Sequence, residues 1–156
     1  MEPVTSIGIK KLYAESKKCN EERPLIIEAI GTAREHGDLA ENAEYHAARE
    51  RQSFIEGRLI ELNNYIANVH VVDLTQVPTK KIVFGTRVTL SDLDTDEKIE
   101  YNIVSEHESD PKIGWINYKC PLGQQLLGKE KGDIVDNELI NKEYEVISIK
   151  RMKKIK

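Results

Sequence analysis

The sequence predicts an α+β protein. An antiparallel coiled-coil helical hairpin spans residues 1–74, a linker covers 75–81, and a compact, mostly antiparallel β domain with one short helix spans 82–156. Three observations predict this. Seam positions in the first half recur in alternating steps of four and three. A short acidic break with one glycine divides that pattern into two arms. Beyond Pro78 the helical period is lost, and short β-type runs alternate with turn residues.

The first arm follows Leu12, Ser16, Cys19, Arg23, Ile26, Ile30, Ala33 and Gly37. Its seam is thin, because Ser16, Cys19 and Arg23 interrupt it, and Pro24 is expected to kink or restart the helix. The second arm follows Glu41, Tyr45, Ala48, Gln52, Ile55, Leu59, Leu62, Ile66 and Val69, and its last five seam positions are all aliphatic. A sustained four-three rhythm is a coiled-coil seam. Two arms joined by so short a connection run antiparallel. At ~1.5 Å per residue each arm is about 40 Å long.

Asp73-Leu-Thr-Gln-Val-Pro-Thr-Lys-Lys81 has no helical period and reads as linker. Strands are expected at Ile82–Phe84, Arg87–Leu90, Ile99–Val104, Trp115–Tyr118 and Tyr144–Ile149, with turns at Asp92–Asp96 and Asp110–Gly114. One short helix is expected from Pro121 to Gly128, with proline at its start and glycine past its end.

Bulk properties bound the function. The 156 residues are 39% hydrophobic and 32% charged, with net charge −4 and a mean hydropathy of −0.51. No apolar run approaches the ~20 residues that span a bilayer, and the amino terminus lacks the basic start and apolar core of a secretory signal. A cytoplasmic protein without a membrane partner is expected. Cys19 and Cys120 are far apart and read as reduced thiols. The acidic excess lies in residues 1–73, while 74–156 is balanced. An acidic chain gains little from counterion release on naked nucleic acid, so a nucleic-acid substrate would have to be held by something else.

The break between the arms reads Ala33-Arg-Glu-His-Gly-Asp-Leu-Ala-Glu-Asn-Ala-Glu-Tyr-His-Ala-Ala-Arg49. Gly37 is suited to ending a helix. Asp38 is a preferred N-cap, and Glu41 three residues later completes a capping-box pattern. Glu44 suits the early part of a helix. Every acidic residue of the tip, about 37–45, therefore has a structural use. Three carboxylates nevertheless exceed what capping needs, and Asp38 and Glu41 at a spacing of three can converge on one side of the rod end. Two or three hard oxygen donors suit a divalent ion that shares its ligands with a substrate or partner, not a self-sufficient Mg²⁺ site. His36 and His46 have no partner at metal spacing and read as surface histidines.

This tip, continuing through Gln52-Ser-Phe-Ile-Glu-Gly-Arg58 and Ala67-Asn68, resembles the Gre-type transcript cleavage factors, on the GreA side of that family. Arg23-Pro24, Phe84-Gly85 and Leu127-Gly128-Lys129 extend the resemblance over nearly the whole chain. It implies an FKBP-like fold for the second half. It implies docking on bacterial RNA polymerase, entry of the coiled coil into the secondary channel, and stimulated hydrolysis of backtracked RNA at its 3′ end.

By that match Asp38 and Glu41 are the catalytic acidic pair. They help to hold a Mg²⁺ shared with the polymerase active centre, with no cofactor bound stably to the chain alone. Arg34, Asn42, Glu44, Tyr45 and Arg49 would contact polymerase or RNA at the tip. Seam packing is an equally good account of Tyr45. The chain would be a monomeric accessory factor and not itself an enzyme. The alternative is a non-cleaving channel-binding regulator of the same architecture. The first arm is one residue shorter than usual between Gly8 and Arg23. Cys120-Pro-Leu-Gly-Gln-Gln125 replaces the family's serine and small-basic pair, and the hairpin Asp136–Lys142 lacks the usual glycine turn. These departures bear on docking, not on the acidic pair.

Overall fold

A computed structural model of the chain describes residues 1–38 and 42–153. In chain order it contains β1 (Glu2–Thr5), α1 (Ser6–Arg34), α2 (Ala43–Asn68), β2 (Val69–Val72), β3 (Thr86–Asp92), β4 (Lys98–Val104), β5 (Trp115–Asn117), α3 (Pro121–Leu126), β6 (Ile134–Asn137) and β7 (Lys142–Arg151). Two compact units result. Lys10–Asn68 forms one, and Met1–Ile9 with Val69–Lys156 forms the other.

In the hairpin unit the expected seam is the buried stripe. Leu12, Cys19, Ile26, Ile30 and Ala33 are buried on α1, as are Ile55, Leu59 and Leu62 on α2. Arg23 departs from its seam position. It is exposed and reaches across to Glu56 through two hydrogen bonds of 2.6 and 2.5 Å. Arg51 grips Glu22 at 2.6 and 2.9 Å, and Arg58 grips Glu15 at 2.6 and 2.9 Å. From Glu15–Arg58 to Glu22–Arg51 the number rises on α1 and falls on α2, as an antiparallel course requires. Pro24 does not break the helix, since α1 runs through it for 29 residues. The carbonyl of Asn20, which loses its donor at Pro24, belongs to an exposed residue, where solvent is available to it.

Arg58 also bonds Glu61 at 2.9 Å. The Arg58 guanidinium, through its hydrogen bonds first, holds the Glu15 carboxyl below the usual carboxylate range, and partial burial opposes it. The stability this pair contributes is present in full above the unfolded-state pKa of about 4.3. It is lost as pH falls through the lower folded-state value. Arg58→Gln is therefore expected to lower hairpin stability by about 1 kcal/mol or less at neutral pH, because both partners are partly solvated. In thermal melts the gap from wild type should close as pH falls below the ordinary carboxylate range; a gap that stays constant through acid titration would exclude the ion pair as its cause.

The sheet-bearing unit begins at the amino terminus. β1 pairs in parallel with β2, Glu2 opposite Val69 and Thr5 opposite Val72. The sequence expectation assigned residues 1–74 to the hairpin, so the boundary is displaced at both ends. Four-residue strands that pair at a separation of 67 positions leave no local period to read. Thr5 then caps α1, its hydroxyl accepting from the N–H of Gly8 at 3.2 Å. The carboxylate of Glu108, 3% exposed, accepts from the Thr5 N–H and hydroxyl and from the N–H and hydroxyl of Ser105. A Cβ on Gly8 would fall on this carboxyl group, so a residue with no side chain is required there.

The larger sheet has the order β5-β4-β3-β7-β6, antiparallel except for the parallel pair β4–β5. Alternating side chains of β3 enter a core formed by Ile82, Val88, Leu90, Ile103, Ile116, Leu126, Val135, Tyr144 and Val146. The expected strand at Ile82–Phe84 is instead a loop. Ile82 exchanges 2.8 Å backbone bonds with the segment after α3, its N–H to Lys129 and its carbonyl from Gly128. β6 is the first arm of the hairpin at Asp136–Lys142, although Ile-Val-Asp-Asn is too short to show alternation by itself. The expected linker is packed as well. Leu74 and Val77 are buried with Val104, Trp115 and Met152 in a second cluster.

The departures noted in the sequence have local solutions. Cys120 caps α3, its Sγ accepting from the N–H of Gly123 at 3.3 Å. Gly123 packs backbone to backbone, since an added Cβ would lie 3.0 Å from Tyr118 main-chain atoms and closer still to the Asn117 carbonyl. In the turn between β6 and β7, Asn141 takes the left-handed conformation (φ 53°) that glycine would otherwise supply.

Candidate functional site

The tip is built by the termination of one helix and the capping of the next. After Arg34, the N–H groups of Glu35 and His36 bond the carbonyls of Thr32 and Ala33 at 3.2 and 3.1 Å, and Gly37 at φ +110° turns the chain away. Helix α2 begins at Ala43. Its cap is Asn42, whose Oδ1 accepts from the N–H of Tyr45 at 3.1 Å. The capping role that the sequence assigned to Asp38 is therefore corrected. Asp38 lies five residues before the first helical residue, too far back to serve that turn. Asparagine and aspartate cap equally well, so propensity alone does not favour Asp38 over Asn42. Glu41, the other half of the expected capping box and of the acidic pair, lies outside the described residues.

His36, Asp38, Asn42, Ala43 and Glu44 line an open cleft of about 380 Å³. Asp38 and Glu44 thus share one cavity, with Glu44 in the first turn of α2, where a negative charge is favoured by the helix dipole. His36, read as an ordinary surface histidine, is part of the same lining. Its only signal in the sequence was proximity to the glycine turn. Among the described residues no three His, Cys, Asp or Glu side chains come together as a metal-ligand cluster.

On the flank of the tip, the Arg34 guanidinium lies over the Tyr45 ring at 6.0 Å from its centroid. That ring meets His46 edge-on at 5.6 Å. The Nη1 of Arg49 donates to Gln52 at 3.0 Å. Arg34, Arg49 and Gln52 line a second cavity of about 350 Å³ with Ile27, Ile30 and Gly31. The structure therefore separates the expected tip residues into two sets. Asp38, Asn42 and Glu44 border the acidic cleft, and Arg34 and Arg49 border the groove beside it. Tyr45 stands half-buried at the Arg34 side. A carboxylate cleft suits a hard divalent cation, and a groove with two guanidinium groups suits phosphate.

A helical hairpin with an acidic tip, joined to a small mixed sheet, is the architecture that the tip motif implied. Both halves match models of one family of transcription elongation factors. The GreA/GreB N-terminal model covers residues 2–71, and the GreA/GreB C-terminal model covers 77–151. The chain belongs to the GreA/GreB family of transcription elongation factors. It is 46% identical over 150 residues to transcription elongation factor GreA of a Nitratiruptor species, covering 95% of this chain and 92% of that one. It is 49% identical over 150 residues to the GreA of Ruegeria pomeroyi, covering 94% and 96%. The GreA of Thioalkalivibrio sulfidiphilus is 46% identical over 152 residues, covering 95% and 96%.

Proposed function

We propose that the hairpin enters the secondary channel of bacterial RNA polymerase and that its tip stimulates hydrolysis of backtracked RNA, rescuing arrested elongation complexes. One observation carries this reading beyond family membership: helix α2 is capped by Asn42, while Asp38 lines an acidic cleft with Glu44. Capping of α2 is therefore not the role of Asp38, and its carboxylate borders the cleft.

The donors fit a shared Mg²⁺. They are hard carboxylate oxygens, and they are too few to hold the ion without ligands from elsewhere. Asp38 and Glu41 would hold it together with the polymerase aspartates. When bound, this ion and the one held by the polymerase would divide the chemistry of an in-line displacement, one activating water and the other stabilising the leaving oxygen. The chain's own part is placement. Asp38 and Glu41 orient the attacking water, Glu44 adds negative charge to the same cleft, and Arg34 and Arg49 hold RNA or polymerase at the flanking groove. Tyr45, steadied by Arg34, offers an aromatic face to an unpaired base. In hydrolysis one P–O bond of the RNA breaks and water completes both ends, so a new 3′ end stands in register for elongation.

The chain acts as a monomeric accessory factor in the cytoplasm and has no nuclease activity of its own. No described helix is long and apolar enough to cross a membrane. Addition of the purified chain to a stalled, backtracked elongation complex is expected to release short 3′ RNA fragments and restore elongation, and the chain alone should leave the same RNA intact. Occupancy of polymerase with slower elongation and no fragment release would favour a non-cleaving regulator instead.

A further inference from the structure

We infer that Asn42, expected from the resemblance to touch polymerase or RNA, is instead the positioning residue of the tip, fastening the end of α1 to the start of α2. The inference rests on the cleavage reading above. The Nδ2 of Asn42 donates to the carbonyl of Ala33 at 2.7 Å, while Oδ1 accepts from the N–H of Tyr45 at 3.1 Å. A carbonyl only accepts and a backbone N–H only donates, so the partners themselves fix the orientation of the amide.

The first-turn N–H of α2 has no partner within its own helix until Oδ1 supplies one, and Nδ2 adds a second bond to a last-turn carbonyl of α1 that also accepts from the N–H of His36 at 3.1 Å. One side chain thus closes both ends of the loop that carries Asp38, and it borders the cleft that Asp38 lines. Ala33, at the α1 end, is a buried seam residue, so the amide anchors the loop to the packed part of the hairpin. Aspartate could make the cap but not the bond to Ala33. Glutamine carries both groups but is one methylene longer, which moves the amide off both partners. A tip held this way matters because a misplacement of about 1 Å in a reacting group can lower a rate about 100-fold.

The test compares wild type, Asn42→Asp and Asn42→Ala as full chains. In the free protein, residue-resolved amide exchange at Tyr45 is expected to rise at least about tenfold in Asn42→Ala and to stay near wild type in Asn42→Asp. Exchange at Ile55 to Leu62 should not change in either variant. In backtracked complexes at saturating factor, both variants are expected to cleave about 100-fold more slowly, with unchanged competition for polymerase. Cleavage restored simply by adding more factor would make Asn42 a direct contact and overturn the inference, as would wild-type cleavage by Asn42→Asp. Absence of cleavage by the wild type would overturn the proposed function instead. Exchange at Tyr45 then still decides the point: an unaltered rate in Asn42→Ala overturns the fastening.

Discussion

Asp38→Asn is expected to lower stimulated RNA cleavage by about 100-fold or more, the scale on which a positioned electrostatic group acts in a water-poor site. Polymerase binding and the thermal melt of the free protein should stay at wild-type levels. The substitution keeps the size of the side chain and one oxygen acceptor, and it replaces the charged second oxygen by a neutral NH₂. If Asp38 began α2, this variant could not separate chemistry from capping, because asparagine serves as well. The cap provided by Asn42 removes that ambiguity. Cleavage is measured in a stalled complex across a range of Mg²⁺ concentrations, with polymerase occupancy followed by competition. Wild-type cleavage by Asp38→Asn would sink the assignment of Asp38 to the chemistry. Cleavage lost in parallel with polymerase affinity would make it a docking residue.

The second large effect is on stability. Leu62→Ala is expected to destabilise the hairpin by about 2–5 kcal/mol, from lost burial and the cavity left behind. Leu62 is 0% exposed and stands near the middle of the aliphatic half of the α2 seam. A two-helix unit has one seam and little else to bury, so a hole there is not shared among layers. Ile60, on the same helix but 63% exposed, is the control. Ile60→Ala should fall within about 0.5 kcal/mol of wild type, as surface changes do. Urea unfolding followed by far-ultraviolet circular dichroism separates the two. Equal midpoints for the two variants would mean that the seam does not hold the hairpin together.

Much of this was legible from residue order. The seam could be read because burial on a helix follows a local period, and Ile55, Leu59 and Leu62 are buried where that period places them. Gly37 ends the first arm because a positive φ suits glycine. Pro121 and Gly128 bracket α3 for equally local reasons. The tip motif by itself points to the family, and both family models bear it out.

What the sequence alone determined, then, is the periodic and the punctuated: two helical arms, a turn between them, and a run of short strands. These depend on residues three, four or two apart. The tertiary structure decided the rest. It drew Glu2–Thr5 and Val69–Val72 into one small sheet, and it folded Leu74 and Val77 of the expected linker into a core. It chose Asn42 over Asp38 as the cap, although the two are equivalent by propensity, through a bond to Ala33 nine residues back. Each of these choices rests on a contact between segments whose separation carries no period, and only the folded chain can supply it.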